Sequence, residues 1–169
     1  SLEFGFQVEE IPAQEVDDIN VSSTKIRRAL LQGDIKTAQQ FLSYPYFLNA
    51  RVIKGEGIGN TLGYPTANLL VEEPYKLIPK NGVYAVNVSI DGEKHPAMMN
   101  IGVRPTVSTG EKQSLEVHIL DFSQDIYDQE IRVEFLEFIR EEKKFESVEG
   151  LKKQLEHDKN YCLRFFSSV

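Results

Sequence analysis

The sequence contains little of what several classes of protein require. It has one cysteine, Cys162, so an internal disulfide is excluded, and its three scattered histidines complete no structural zinc set. Lysine plus arginine number 19 against 26 aspartate plus glutamate, so the net charge of −7 gives no basic footprint for nucleic acid. No apolar run approaches the roughly 20 residues that a membrane helix needs. These absences favour a cytoplasmic protein with neither nucleic-acid nor membrane partners.

The composition predicts a chain that folds. Hydrophobic residues make up 41% and charged residues 27%, without a long low-complexity stretch, which suits one domain of ordinary size plus a smaller piece. The first residues, Ser1-Leu2-Glu3-Phe4, include neither a basic leader segment nor an initiator methionine. We interpret the chain as part of a longer protein.

The first 44 residues predict a small, mainly helical piece. Residues 1–21 have an extended-looking pattern that ends in a loop from Glu15 to Asn20. Ser22-Ser23-Thr24 can cap a first helix, and Gly33 stands where a left-handed C-cap costs least. A second short helix is predicted from about Asp34 to Leu42, and Tyr44-Pro45-Tyr46 ends it. We place a domain boundary there.

Beyond residue 48 the pattern changes to short strands separated by glycine, proline and aspartate turns, which predicts an all-β barrel or sandwich. The candidate strands are Ala50 to Lys54, Val83 to Ile90, Lys94 to Ile101, Leu115 to Phe122 and Ile131 to Phe138. Asp91-Gly92, between the second and third strands, suits a type I′ hairpin turn.

Ser147 begins a final helix that we expect to cover one face of the barrel. Its apolar stripe consists of Leu151, Leu155 and Cys162, with Lys152, Lys153 and Glu156 exposed to water.

A glycine-rich loop directly follows the first of these strands. The glycines are Gly55, Gly57, Gly59 and Gly63. Backbone amides without Cβ atoms around them can form a nest for phosphate oxygens. The loop is not a Walker loop, and Leu62 stands where the dinucleotide fingerprint needs glycine. The alternative is a mobile connecting turn.

Pro65-Thr66-Ala67-Asn68 places a hydroxyl and an amide two residues apart on one side of an extended segment. Both groups are hard oxygen donors. They suit a Mg²⁺ ion that keeps most of its water and completes its shell with nucleotide phosphates. The alternative is a turn in which Thr66 and Asn68 satisfy neighbouring backbone groups.

The run from Gly55 to Asn68, with Leu62-Gly63-Tyr64-Pro65-Thr66-Ala67-Asn68-Leu69 at its end, closely resembles the signature of riboflavin kinases. Further matches follow in order: Gly82-Val83-Tyr84, Asn100 to Thr106, Glu116 to Phe122, and Ile139-Arg140 with Lys143 and Phe145. The resemblance covers about residues 48–169. It implies a six-stranded antiparallel Greek-key barrel with a C-terminal helix, which transfers the γ-phosphate of ATP to the 5′-hydroxyl of riboflavin and makes FMN.

The resemblance also implies roles for individual residues. Glu116 matches the catalytic base, and strand alternation places it on the side of His118, away from the apolar positions on either side. Thr66 and Asn68 would bind Mg²⁺ and phosphates, and the amides of 55–63 would cradle the nucleotide. Arg140 and Lys143 match flavin-nucleotide contacts on a loop that closes over the ligand.

Two features limit these assignments. Many relatives carry a basic residue where this chain has Asn60, so one cationic contact to the nucleotide phosphates is missing or comes from elsewhere. His95, His118 and His157 are isolated in the sequence, and we assign them to the surface or to packing.

Val21 to Arg27 is similar to the Ile-Ser-Ser-Thr-x-x-Arg segment that closes the nucleotidylyltransferase fold, where a helix start and an arginine hold ATP phosphates. An ordinary helix cap is the alternative. Beside the kinase signature, the similarity implies that residues 1–44 are the C-terminal remnant of an FMN adenylyltransferase domain and 45–169 the riboflavin kinase domain. No histidine precedes His95, so FAD synthesis is not expected from this chain, although the longer protein would perform it. Ser23 and Arg27 should then be dispensable for kinase activity.

Two other functions compete with the kinase. A non-catalytic flavin-binding or assembly module on an antiparallel barrel would need neither a phosphate cradle nor Mg²⁺ ligands. A domain that senses ATP would need no carboxylate base.

Overall fold

A computed structural model describes residues 15–16, 19–55, 63–106 and 110–168. The strands are β1 (Glu15–Val16), β2 (Ile19–Asn20), β3 (Phe47–Ile53), β4 (Ala67–Leu70), β5 (Gly82–Ile90), β6 (Glu93–Thr106), β7 (Gly110–Ile119) and β8 (Glu130–Arg140). The helices are α1 (Ser23–Gln32), α2 (Ile35–Leu42) and α3 (Val148–Ser167).

Strands β3 to β8 form a closed antiparallel barrel in the order β3-β4-β7-β6-β5-β8. Three consecutive strands, β5, β6 and β7, are neighbours, and β8 returns to pair with β5, which is a Greek key. The β5–β6 turn has positive φ at both Asp91 (49°) and Gly92 (88°), as a type I′ turn requires. The predicted barrel and hairpin are therefore confirmed.

The helix ends also follow the sequence prediction. Ser22 is the N-cap of α1, and its side chain accepts a hydrogen bond from the backbone N–H of Lys25 at 3.3 Å. Gly33 ends α1 with φ of 78°, a conformation that glycine adopts without steric cost. The expected loop from Glu15 to Asn20 was wrong for its described residues, because β1 and β2 pair there as short antiparallel strands.

The strand boundaries differ from the predicted ones where pairing partners change. β4 was missing from the predicted strands, since it has only four residues and directly follows the glycine-rich loop. β6 extends to Thr106, beyond the predicted end at Ile101, because it continues to pair with β7 after its pairing with β5 has ended. β7 ends at Ile119 rather than at Phe122, since the chain turns at Asp121 with φ of 51°.

The barrel has two apolar layers. The interior is filled by fully buried side chains such as Tyr84, Met99 and Phe135. A second cluster lies on the outer face, where α3 covers β5 and β6. Its buried members are Val83, Ala85, Met98, Leu120 and Cys162, and we call it the α3 patch. β5 is thus buried on both faces, and the predicted position of the final helix is confirmed.

The α1–α2 pair packs against the barrel. Leu30 and Ala38 are fully buried and belong to the same apolar cluster as the barrel interior. The carbonyl of Leu30 accepts a hydrogen bond from the backbone N–H of Lys80 at 3.1 Å, in the segment before β5. These contacts make the helical pair part of the barrel's packing, while the division into two domains at residue 44 remains a prediction.

Candidate active site

A row of three polar side chains crosses the outer face of the barrel on β4, β7 and β6. Glu116 pairs with Asn68 on one side and with Asn100 on the other. Residues directly opposite each other in antiparallel strands share a face, with Cβ atoms about 4.5–5.5 Å apart. We call Asn68, Glu116 and Asn100 the polar row. The row places a carboxylate between two amides.

Glu116 itself is half-buried, while its chain neighbours Leu115 and Val117 point into the core. The predicted alternation along β7 is therefore confirmed. Its role as a base remains a prediction. In the sequence, Asn100 was noted only as part of a motif. Its position beside Glu116 depends on the register between β6 and β7, which the sequence does not reveal.

The glycine-rich loop reaches the polar row at its first residue. A Cβ atom at Gly55 would collide with the side-chain amide of Asn68, so glycine leaves room for that amide in its present position across the end of β3. Gly63 has φ of 80°, which also favours glycine. Gly57, Gly59 and Asn60 lie outside the described residues, so the structure describes the predicted phosphate cradle at its two ends.

A pocket of about 420 Å³ lies beside the Pro-Thr-Ala-Asn turn. Its walls are mostly apolar and come from Val52, Pro65, Thr66, Ala67, Val117, Ile119 and the segment 122–127. Thr66 is half-buried and lines this pocket, while Asn68, two residues later, stands in the polar row. The turn therefore connects an apolar pocket with the three polar side chains.

The donor set fits a weakly coordinated hard cation. Within the described ranges, no cluster of three or more histidine, cysteine, aspartate or glutamate side chains could hold a metal ion. The hydroxyl of Thr66 and the amide of Asn68 are neutral oxygen donors. Such donors suit Mg²⁺ when it is held mainly by water and by the phosphates of a substrate.

Arg140 is positioned differently from the sequence prediction. It is the last residue of β8 rather than part of a loop. Its Nε lies 3.0 Å from each carboxylate oxygen of Asp158, its Nη2 donates to one of them at 2.6 Å, and its Nη1 donates to the Glu141 carbonyl at 2.9 Å. Asp158 lies on α3 and is 1% exposed. The ion pair therefore fastens α3 to the end of β8.

The segment after β8 folds back over β6 beside the polar row. A Cβ atom at Gly102 would collide with the carboxylate of Glu142 and would lie 3.3 Å from the side-chain nitrogen of Asn100. Glu142 thus brings a second carboxylate to this region, which the sequence patterns did not indicate. Lys143 is exposed in the same segment.

The fold and site define a class of protein: a Greek-key barrel whose outer face holds a carboxylate between amides, beside a largely apolar pocket of about 420 Å³. A family model described as "Flavokinase: Riboflavin kinase" matches residues 42–166. The chain belongs to the riboflavin kinase family.

Two curated relatives illustrate the similarity. The chain is 43% identical over 164 residues to a bifunctional riboflavin kinase/FMN adenylyltransferase of Listeria monocytogenes, covering 97% of this chain and 52% of the relative. It is 44% identical over 169 residues to the protein of that description from Haemophilus influenzae, covering 99% and 54%. The chain spans about half the length of these relatives.

A solved structure from Streptococcus pneumoniae, described as a macrolide-efflux protein, has a TM-score of 0.82 and 40% identity, covering 89% of this chain and 49% of that one. Its description applies to that protein. Among the described helices of this chain, none is long and apolar enough to span a membrane.

Proposed function

We propose that this chain transfers the γ-phosphate of ATP to the 5′-hydroxyl of riboflavin, giving FMN and ADP. Membership in the riboflavin kinase family supports the reaction. The single structural observation that carries the proposal is the strand register. It sets Glu116 between Asn100 and Asn68, and Asn68 follows the turn that holds Thr66.

Each part of the site has a task in this reaction. The 5′-hydroxyl binds beside Glu116, whose carboxylate takes the hydroxyl proton as the oxygen forms its bond to the γ-phosphorus. The bond from the γ-phosphorus to its bridging oxygen breaks, and ADP leaves. Thr66 and Asn68 bind the phosphates together with Mg²⁺, which when bound neutralises their charge. The backbone amides of 55–63 hold the remaining phosphate oxygens.

The pocket beside Thr66 accepts the base and ribose of the nucleotide. Val52, Val117 and Ile119 give it an apolar surface suited to a flat aromatic ring. Tyr127, at the rim, is 44% exposed and offers a ring for stacking. The phosphates then extend from the pocket past Thr66 toward the polar row.

Arg140 contributes to this site through α3. All three nitrogens of its guanidinium already donate hydrogen bonds within the protein. We therefore assign Arg140 to holding α3 and the segment after β8 in place, and keep Lys143, which is exposed, as the direct contact to the flavin nucleotide.

The competing functions differ in what the site would need. A flavin-binding module without activity has no use for a carboxylate set between amides next to a nucleotide-sized pocket. For the longer protein we propose both FMN and FAD synthesis in the cytoplasm, with FAD synthesis dependent on residues outside this chain.

The test is direct. The chain is incubated with riboflavin, ATP and Mg²⁺, and the products are separated by chromatography. FMN is expected and FAD is not. Thr66→Ala should lose FMN formation but still bind riboflavin, as measured by the quenching of riboflavin fluorescence. Ser23→Ala should turn over normally. Absence of FMN with the unmodified chain would refute the proposal.

A further inference from the structure

His118 lies two residues beyond Glu116 on the outer face of β7, and it is buried. It is 6% exposed, and its Nδ1 lies 2.8 Å from the carbonyl oxygen of Pro65. A carbonyl can only accept a hydrogen bond, so Nδ1 carries the proton and donates it. In the part of the chain that the structure describes, Nε2 of His118 has no hydrogen-bond partner. The packing around the ring thus satisfies one nitrogen, the one facing the Pro-Thr-Ala-Asn turn.

The imidazole also contacts the residue before that proline. The rings of His118 and Tyr64 meet edge to face, with centroids 5.5 Å apart and an angle of 67° between their planes. His118 therefore touches the two residues that immediately precede Thr66.

The register of β4 and β7 explains why such a contact is needed. The two strands pair only at Ala67 with Val117 and at Asn68 with Glu116. One step further, the position opposite His118 is that of Thr66, which lies before β4 begins. The backbone ladder has therefore ended where Thr66 stands. The hydrogen bond from His118 to Pro65 replaces the missing ladder contact and continues the attachment of the chain to β7.

We propose that His118 is a positioning residue for phosphoryl transfer, which fixes the Pro65-Thr66 backbone against β7 and thereby sets the distance of the Thr66 hydroxyl from Glu116. The proposal rests on the proposed function for its kinetic consequence, and on geometry alone for the hydrogen bond. Because Thr66 is assigned to the nucleotide, displacement of this turn should weaken the productive binding of MgATP and leave the affinity for riboflavin almost unchanged.

Two substitutions separate positioning from packing. His118→Leu removes the donor and keeps an apolar side chain of similar bulk. His118→Asn places an amide N–H near the position of Nδ1 and can still donate to the Pro65 carbonyl. His157→Leu is the matched control, since His157 is exposed on α3. For each variant, kcat, KM for MgATP, riboflavin affinity by fluorescence and the thermal unfolding midpoint are measured.

We expect His118→Leu to lower kcat/KM for MgATP by about 10- to 100-fold, as displacement of a reacting group by about 1 Å does. His118→Asn should recover most of that loss, and His157→Leu should match the unmodified chain. Equal losses of kcat/KM in the leucine and asparagine variants, or no loss in a folded leucine variant, would overturn the proposal.

A measurement that does not depend on turnover keeps the two proposals apart. Long-range proton–nitrogen NMR correlations of the unmodified chain distinguish the two neutral tautomers of its histidines. We expect His118 in the Nδ1–H form. Its signals are assigned as those that disappear from the spectrum of His118→Asn. An Nε2–H form would refute the positioning contact even if FMN is made, and absent FMN synthesis with an Nδ1–H form would refute only the kinase.

Discussion

The outer face of the barrel contains two neighbouring regions with opposite uses. The α3 patch is apolar and covered by a helix, whereas the polar row, on β4, β7 and β6, is half-buried; the two regions meet on β6. On β6 the change occurs within two residues, from Met98 in the patch to Asn100 in the row. The comparison indicates that one sheet face packs a helix where its side chains are apolar and presents half-buried polar side chains beside that helix.

His118 and the Arg140–Asp158 pair mark the border between the two regions. The carboxylate of Asp158 accepts from Arg140 and also from Gln154 at 2.8 Å, so this buried charge is well satisfied. His118 is satisfied at one nitrogen only. Stability should therefore depend more on the ion pair, and catalysis more on the histidine.

The largest expected effect on stability comes from breaking the ion pair. Asp158→Asn leaves the Arg140 guanidinium, 16% exposed, without its carboxylate. Loss of one partner of a buried pair costs about 3 kcal/mol or more of unfolding free energy. Urea unfolding measures the loss, with Glu93→Gln at the exposed hairpin as control. An unchanged midpoint would contradict the anchoring role.

A smaller effect, on activity, is expected from Asn100→Ala. The substitution removes the amide beside Glu116 in the polar row and leaves the α3 patch intact. Turnover should fall about five- to tenfold, which corresponds to about 1 kcal/mol, the size of one typical hydrogen-bond contribution. The unfolding midpoint should hardly move. Steady-state FMN formation measures the turnover, and a melting curve measures the stability. A large loss of stability with normal turnover would contradict the assignment of Asn100 to the site.

Acid should weaken the fold through His118. Burial lowers the pKa of His118, and Lys159 on α3 lowers it further, against the Pro65 hydrogen bond and Asp121, which act to raise it. Below the ordinary value of 6.5 the unfolded chain then binds more protons at this residue than the folded chain does. The contribution of His118 to stability is complete above about pH 6.5 and is lost as the pH falls toward the lowered pKa.

Urea midpoints at pH 7.5 and at pH 5.5 test this sign. The drop on acidification should be smaller in His118→Asn than in the unmodified chain, which shares all other titrating groups. Equal drops would mean that His118 keeps its ordinary pKa.

The smallest effect concerns Cys162 in the α3 patch. Burial raises the pKa of its thiol to about 12, and the nearby Asp158 adds to the shift. Little thiolate forms at neutral pH, so alkylation should be slow in the folded chain and fast in urea. Mass spectrometry after timed exposure to iodoacetamide measures both rates. Equal rates would show that α3 does not cover the patch.

The sequence predicted features whose cause is local. Helix caps at Ser22 and Gly33 and the Asp91-Gly92 turn were predicted correctly, because each depends on the conformational preferences of one or two residues. The place of Glu116 on its strand followed from alternation alone.

The features that the sequence did not predict depend on long-range pairing. The neighbours of Glu116 in the polar row lie on other strands, and hydrophobic periodicity does not predict the register between strands. The flavin contact of Arg140 came from the family resemblance and stays a prediction, and its ion pair with Asp158, 18 residues later on a helix, had no signal in the sequence. His118 was expected at the surface or in packing, and it is buried; its hydrogen bond to Pro65, 53 residues earlier, could not be predicted from the sequence.

The most direct test of the account is Glu116→Gln, which keeps the shape of the polar row and removes the carboxylate that takes the 5′-hydroxyl proton. Single-turnover FMN formation should slow by about 10² to 10⁴, as loss of a general base does. Because Glu116 lies in the half-buried row and outside the α3 patch, the unfolding midpoint should shift little. FMN formation at the unmodified rate in the folded variant would contradict the account.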